Sequence, residues 1–430
     1  MFAQLLFIAA FAIALSIADF DERGHSWRGG ASGTYAAVRL REDLNTSIAI
    51  IERQDHLGGH VQTYTIPGTT TTVEYGVQTY LRAGGAEALF KRFDIDIQPF
   101  ASRRLNGINV DIITGKTLTG YTGPSLNATN EAFKIWLSIV SKYEPIMEPG
   151  YWNFPAPSNI PAELLLPFGE FATKYEVEAA VPRIMAISNV GIGGIRDILT
   201  LYVVQAFGST ITRGVVESSI FTPVGSNSLL YQRALALLKD DTYLSATILE
   251  TSRTSSGVRL LLSNKNGRYV IKAKRLLVTA PPTEGTQVNY LAPNVVPSNY
   301  LALRDYKYTL RFDSTGPAGL NLFRILLATT FDISHEEAKA TIKENVQKLV
   351  TAGTVNSTGE CAVEFKAFAD HNSVLWRQTE KQLKEGFVQK LYALQGYRGT
   401  WWTGGLWSAD YSANVWAYTD TVLPKLLRSI

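Results

Sequence analysis

The sequence predicts an α/β fold in which a discontinuous sheet-and-helix domain carries an inserted α+β domain. Three observations predict it: a turn–helix–strand opening, a helix-rich middle section, and a return of short strands that ends in a glycine pair and a last helix. The opening is the most informative. Gly29-Gly30-Ala31-Ser32-Gly33 is a glycine-rich turn, and Ser32 to Leu44 continues it with apolar residues at 36, 37, 40 and 44, an amphipathic helix spacing. The strand Ile48 to Ile51 follows and ends in one acid, Glu52, nineteen positions after Gly33. That order is the logic of a dinucleotide-binding βαβ unit, a Rossmann-like arrangement. Glycines let the backbone approach a pyrophosphate, the helix N-terminus supplies donors and positive potential, and the acid takes a ribose hydroxyl.

The fingerprint is damaged at its start. G-x-G-x-x-G needs glycine at position 28, where this chain has Arg28. The residues before it, Asp19 to Trp27, are charged, whereas a buried parallel strand is a nearly continuous apolar run. The central strand of the sheet is therefore expected to be missing or badly formed. Three explanations stand open: a relaxed fingerprint that still binds its nucleotide, a mis-assigned first exon, or a decayed copy.

At 430 residues the chain suits two domains rather than one core. It is 46% hydrophobic and 18% charged, a globular composition, and the net charge of +3 argues against a nucleic-acid surface. Leu5 to Ala18 is apolar, about as long as a signal-peptide core and short for a membrane span. Small residues at Ser16-Ile17-Ala18 suggest cleavage after Ala18. Sequons at Asn45, Asn127 and Asn356 fit a secretory route, so a secreted glycoprotein without a stable membrane span is expected. A single cysteine, Cys361, excludes an internal disulfide framework and any cysteine-based metal cluster.

The remaining elements follow in order. Thr69 to Thr72 and Val73 to Gln78 read as a strand pair, and Ile108 to Leu118 as a hairpin turning at Thr114-Gly115. Glu131 to Tyr143 is helical, Pro145 to Pro167 an irregular connector, and Phe168 to Gly208 mostly helical with a break at Gly191 to Gly194. Strands return at Tyr243 to Leu249, Val258 to Ser263, Tyr269 to Ile271 and Lys274 to Ala280 before Pro281-Pro282. Ser334 caps a helix over Ile333 to Val350 with acids in its first turn. Glu364 to Asp370 reads as a strand, Lys384 to Leu394 as a short helix, and Ser412 to Leu427 as the last helix.

Several blocks, taken in order, resemble the flavin-containing amine oxidase superfamily. Leu57-Gly58-Gly59 just beyond Glu52 resembles that family's second-strand turn and points to FAD. Glu74-Tyr75-Gly76-Val77-Gln78 resembles the segment passing the flavin ring, Leu276 to Pro282 the strand ending near the isoalloxazine, and Thr400 to Gly405 with Asn414-Val415-Trp416 the C-terminal FAD motif. His60, where amine oxidases usually carry Arg, and Leu391 to Gly396 resemble a fungal branch, the β-cyclopiazonate dehydrogenase-like flavoproteins. The stretch Asp305 to Leu327 looks compressed against that pattern.

The resemblance implies an FAD-binding domain in three pieces (19–110, 225–290 and 385–430), a substrate domain in two (111–224 and 291–384), and a signal peptide over 1–18. It implies that Gly30, Ser32 and Gly33 face the pyrophosphate and Glu52 the adenosine ribose. Gly58, Gly59 and His60 would line the phosphate and ribityl path, and Tyr75, Gly76 and Val77 the flavin. Ile248 would meet adenine through its backbone, and Gly404, Gly405 and Asn414 would close the C-terminal side. The implied reaction is hydride removal from an activated C–H of a small amine-like or secondary-metabolite substrate, the flavin then being reoxidised by oxygen or another acceptor. A redox-neutral double-bond isomerase and a non-catalytic relic are the alternatives. No catalytic side chain and no metal site is assigned. The aromatic cluster Trp401, Trp402, Trp407, Tyr411, Trp416 and Tyr418 is expected mostly to pack as core.

Overall fold

The computed structural model describes residues 12–16, 30–101, 107–190, 194–279, 307–329, 331, 333–356, 362–370 and 377–430. Its organising element is a five-stranded parallel sheet. The order across it is Thr400–Trp402, Arg275–Val278, Ala12–Ser16 (β1), Ser47–Ile51 (β2) and Thr242–Tyr243. Ile48 to Ile51, Arg275 to Val278 and Thr400 to Trp402 are all buried, as expected of parallel strands covered on both faces. The sheet thus draws on distant parts of the chain.

The central lane corrects the expectation of a missing strand. Ala12–Ser16 runs parallel to Ser47–Ile51 on one side, and Ile13–Ser16 runs parallel to Arg275–Val278 on the other. The strand therefore comes from the apolar stretch assigned to a signal peptide. It does not come from the charged stretch next to the glycine turn, which lies outside the described residues together with Arg28. The physical reason is that a central parallel lane accepts an apolar run and rejects a charged one. Cleavage after Ala18 would remove this strand.

The first helix, Ala31–Val38, continues as a wider turn to Asp43 and is buried from Ser32 to Val38. It packs on the C-terminal helix, Ser412–Arg428. Trp416 Nε1 donates to the Ala31 carbonyl at 2.9 Å, and the Tyr35 ring stacks on Trp416 at 5.6 Å. Tyr35 Oη donates to Asp420 at 2.7 Å, and Arg39 pairs with the same carboxylate at 2.7 Å. Burial first, and then the Asp420 carboxylate, push the Tyr35 hydroxyl up to about 12. The first and last helices are thereby held against each other.

Further elements differ from expectation in two places. Thr72–Glu74 (β4) pairs with Thr63–Thr65 (β3), not with residues 69–72. Pro67-Gly68 forces the reversal there: Gly68 has φ +75 and the Ile66 N–H donates to the Thr71 carbonyl at 3.0 Å. Residues 364–370 form no strand. The hairpin at Thr114-Gly115 is present, closed by a bridge between Val110 and Thr117. The compressed stretch forms an antiparallel hairpin, Lys307–Thr315 with Leu322–Thr329, beside the helix His335–Thr351. Ser334 caps that helix, its Oγ accepting from the Glu337 N–H at 3.1 Å. Trp136, Phe168, Phe171 and Phe207 fill the core of the helical middle section.

Candidate functional site

The first helix begins at Gly30, which offers no side-chain cap, so its opening amides have no acceptor within the helix. Two other segments meet this N-terminus. A Cβ on Gly33 would stand 3.0 Å from Thr279 Oγ1, just past the strand Arg275–Val278. Gly404 has φ +119, and a Cβ there would stand 3.2 Å from the Thr279 carbonyl and 3.8 Å from Ser32 Oγ. Ser32, Gly33, Thr279 and Gly404 therefore form one cradle although they come from opposite ends of the chain. The buried hydroxyls of Thr34 and Thr279 have no hydrogen-bond partner among the described residues. Unspent donors at a helix N-terminus, with glycines where side chains would intrude, fit a pyrophosphate, which carries acceptors only. Gly30, Ser32 and Gly33, the residues expected to face the pyrophosphate, all lie in the first turn of this helix or at its N-cap. Thr279 was missed, because only its distance from Gly33 marks it.

Glu52 ends β2 and is fully buried. Its N–H donates to the Tyr243 carbonyl at 2.9 Å and its own carbonyl accepts from Ala246 N–H at 2.9 Å. The side chain accepts from Gln54 N–H at 2.7 Å. Ile248 lies two residues past Ala246, buried on the strand Thr247–Arg253. The expected ribose and adenine residues are thus brought close by the Ala246 link, one strand away from the pyrophosphate cradle.

The expected flavin-side residues form a continuous backbone ribbon. Val77 N–H donates to the His60 carbonyl and Tyr75 N–H to the Gln62 carbonyl, both at 3.0 Å, which extends the β3–β4 pair. Gly76 packs so closely that a Cβ would lie 2.0 Å from the His60 carbonyl oxygen. Gly58 has φ +130 and lies against the Tyr231 ring, while Gly59 has φ +57. Gln78 fastens the ribbon, its Nε2 donating to the Glu74 and Gly76 carbonyls at 2.9 Å. Arg324 of the hairpin donates to Gln78 and also to Asp313 at 2.7 Å. Glu74 turns away and caps the helix Ser228–Leu238, accepting from Asn227 N–H at 2.9 Å and from Thr63 at 2.8 Å. Burial holds its carboxyl above the ordinary range.

At the C-terminal side, Gly84 receives the start of the last helix: a Cβ there would lie 2.1 Å from the Ala413 carbonyl. Asn414 is placed there too, with its backbone N–H and one of its two side-chain N–H donors committed. Its Nδ2 donates to the Pro149 carbonyl at 3.1 Å and its N–H to the Tyr411 carbonyl at 3.0 Å. Gly405 faces the carboxyl of Asp410. Trp402, Trp407, Trp416 and Tyr418 are buried core, as expected. Among the described residues no group of three His, Cys, Asp or Glu side chains could hold a metal ion.

Comparison with known proteins bears on the fold that carries these residues. Residues 29–94 match the NAD(P)-binding Rossmann-like domain. The chain is 28% identical to β-cyclopiazonate dehydrogenase of Aspergillus oryzae, over 93% of this chain and 92% of that protein. It is 29% identical to an FAD-dependent oxidoreductase of Monascus ruber, over 94% and 91% respectively. Among solved structures, a fatty acid isomerase of P. acnes superposes with a TM-score of 0.66 at 15% identity, covering 97% of this chain and 98% of that one. Putrescine oxidase with bound putrescine superposes with a TM-score of 0.58 at 17% identity and the same coverage. The chain has the amine-oxidase-type fold, with the α/β organisation expected from its sequence.

Proposed function

We propose that this chain is an FAD-dependent oxidoreductase that removes a hydride from an activated C–H of a small amine-like or secondary-metabolite substrate. The observation that carries the reading is the cradle of Ser32, Gly33, Thr279 and Gly404 at the buried N-terminus of the first helix. When bound, the flavin supplies a two-electron acceptor that oxygen or another acceptor reoxidises. The protein's own part is to bind and orient. The first-turn amides and Thr279 would hold the pyrophosphate, Glu52 the ribose, and the ribbon from His60 to Val77 would set the ring's position. The relatives' names support FAD and oxidation over a redox-neutral isomerisation.

The test is the absorbance of purified protein between about 350 and 500 nm, where oxidised flavin shows its two bands. Two bands, with FAD released on unfolding, are expected. A folded, colourless protein that takes up no added FAD would overturn the reading and leave the relic. Glu52→Ala is expected to weaken FAD binding about 10- to 100-fold, the worth of a charge-assisted hydrogen bond. Fluorescence titration of the apoprotein reads it, and unchanged affinity removes Glu52 from the ribose.

The secretory route belongs to the same proposal. The side chains of Asn45, Asn127 and Asn356 are all exposed, which supports glycosylation. No helix among the described residues is long and apolar enough to cross a membrane. The part we do not carry forward is removal of residues 12–16, which the sheet uses.

A further inference from the structure

The hairpin Lys307–Thr315 with Leu322–Thr329 carries charges that the function above leaves unused. Its strands are antiparallel, with Asp313 opposite Arg324 and Thr315 opposite Leu322. Directly opposed residues share a face, as do residues two apart on one strand. Arg311, Asp313, Leu322 and Arg324 therefore stand on the same face. The hairpin is fastened along the ribbon at two points. At one end a Cβ on Gly316 would stand 3.0 Å from Leu322 Cδ1 and 3.6 Å from Val73 Cγ2, so this end meets β4. At the other, Arg324 Nη1 donates to Gln78 Oε1, and Gln78 in turn binds the Glu74 and Gly76 carbonyls at 2.9 Å. The charged face thus lies against residues 73 to 78, the segment expected to pass the flavin ring.

The charges on that face do not balance. Asp313 Oδ2 accepts from Arg324 Nη2 at 2.7 Å and pairs with Arg311 Nε at 2.8 Å, so two guanidiniums share one carboxylate oxygen. Among the described residues neither arginine is paired with a second acid. Their other contacts are neutral. Arg324 meets the Gln78 amide, and Arg311 Nη1 donates at 2.9 Å to the Ala186 carbonyl, in the last turn of the helix Val181–Ser188. These contacts hold both forks in place and cancel only one of the two charges. A guanidinium has a planar set of five N–H donors and does not lose its charge, so each fork keeps donors to spare. The side chains of Arg311, Arg324 and Asp313 are 36%, 25% and 23% exposed. A small molecule can reach the group, while salt screens so partly buried a charge less than one on the open surface. One arginine would neutralise Asp313; a purely structural pair does not call for the second.

We propose that Arg311 and Arg324 anchor the substrate, and that the substrate carries a planar acidic oxygen group, a carboxylate or an enolate, held by these two forks beside the flavin. Planar oxygen anions match the guanidinium fork in shape as well as in charge. This rests on the FAD-dependent reading given above and narrows its substrate class to acid-bearing molecules. A simple cationic amine meets an unbalanced positive charge here and is disfavoured.

The experiment is titration of the full-length yellow holoenzyme with benzoate, read by calorimetry and by the shift of the flavin bands. Benzamide and benzylamine serve as the neutral and cationic counterparts. Benzoate is expected to shift the bands and to bind about tenfold or more tightly than either counterpart. Arg311→Gln is expected to weaken benzoate binding about tenfold. Asp313→Asn keeps the shape of the group and raises its net charge, so it is expected to tighten benzoate binding about threefold or more. An ion pair with a structural role alone would give no such gain. Asp313→Asn also keeps the test decisive should Arg311→Gln not fold. Yellow protein that binds benzoate no better than benzamide overturns the proposal and leaves the FAD reading intact. So does benzoate binding that Asp313→Asn does not tighten, or that leaves the flavin bands unmoved. Colourless protein that takes up no FAD defeats the function reading, and with it the flavin-side role of these arginines.

Discussion

Replacing Gly76 by alanine is expected to cost about 3 kcal/mol of stability and to abolish flavin retention. The added methyl would stand 2.0 Å from the His60 carbonyl oxygen, and that atom is main chain, so no rotamer change relieves the overlap. Relief requires the ribbon to open, which breaks the Val77-to-His60 and Tyr75-to-Gln62 hydrogen bonds. The same ribbon carries the residues expected to face the flavin, so stability and cofactor occupancy should fall together. Gly68→Ala is the control. Gly68 has φ +75 but open space around its Cβ, so its cost is the backbone penalty of about 1–2 kcal/mol, with flavin content unchanged. Thermal unfolding and the flavin-to-protein absorbance ratio read both variants. Equal behaviour of the two would show that the close approach at Gly76 does not matter.

Removing residues 1–18 is expected to leave a chain that does not accumulate as a folded, flavin-loaded protein. β1 is the middle lane of the sheet, with a parallel neighbour on each side, so its loss strips backbone partners from both Ser47–Ile51 and Arg275–Val278. Ala14→Pro tests the same lane within the full chain, because proline deletes a ladder donor and is excluded from central strands. Intact-mass measurement of yellow protein from a eukaryotic secretion host should show residues 12–16 retained, together with a glycan increment that a glycosidase removes. Yellow protein beginning at Asp19 would show that this strand is dispensable, and a mass without glycan would remove the secretory part of the proposal.

How legible the site was depended on the range of the interaction. The strand that ends before Glu52 and the turn at Gly58-Gly59 were readable because a strand, an acid and a turn lie next to one another in sequence, and local order is what such motifs encode. The helix from Ser32 and the helix from Ser412 were readable for the same reason, through spacing and capping. The β3–β4 pairing was misread by one turn, because Pro67-Gly68 was not weighed against the β-branched run beside it. Asn414 was placed in the right helix, but its motif says nothing of the Pro149 carbonyl that takes its side chain.

The sequence by itself determined the α/β class, the nucleotide-binding opening and the turn after Glu52, since each follows from residues within about 20 positions of one another. Only the tertiary structure decided which segment fills the central lane, and that Thr279 and Gly404 complete the cradle at Ser32. The physical reason is that sheet order and cradle closure are contacts between distant segments. Burial and backbone pairing of the whole chain select them, and no local pattern of residue types specifies which segments meet.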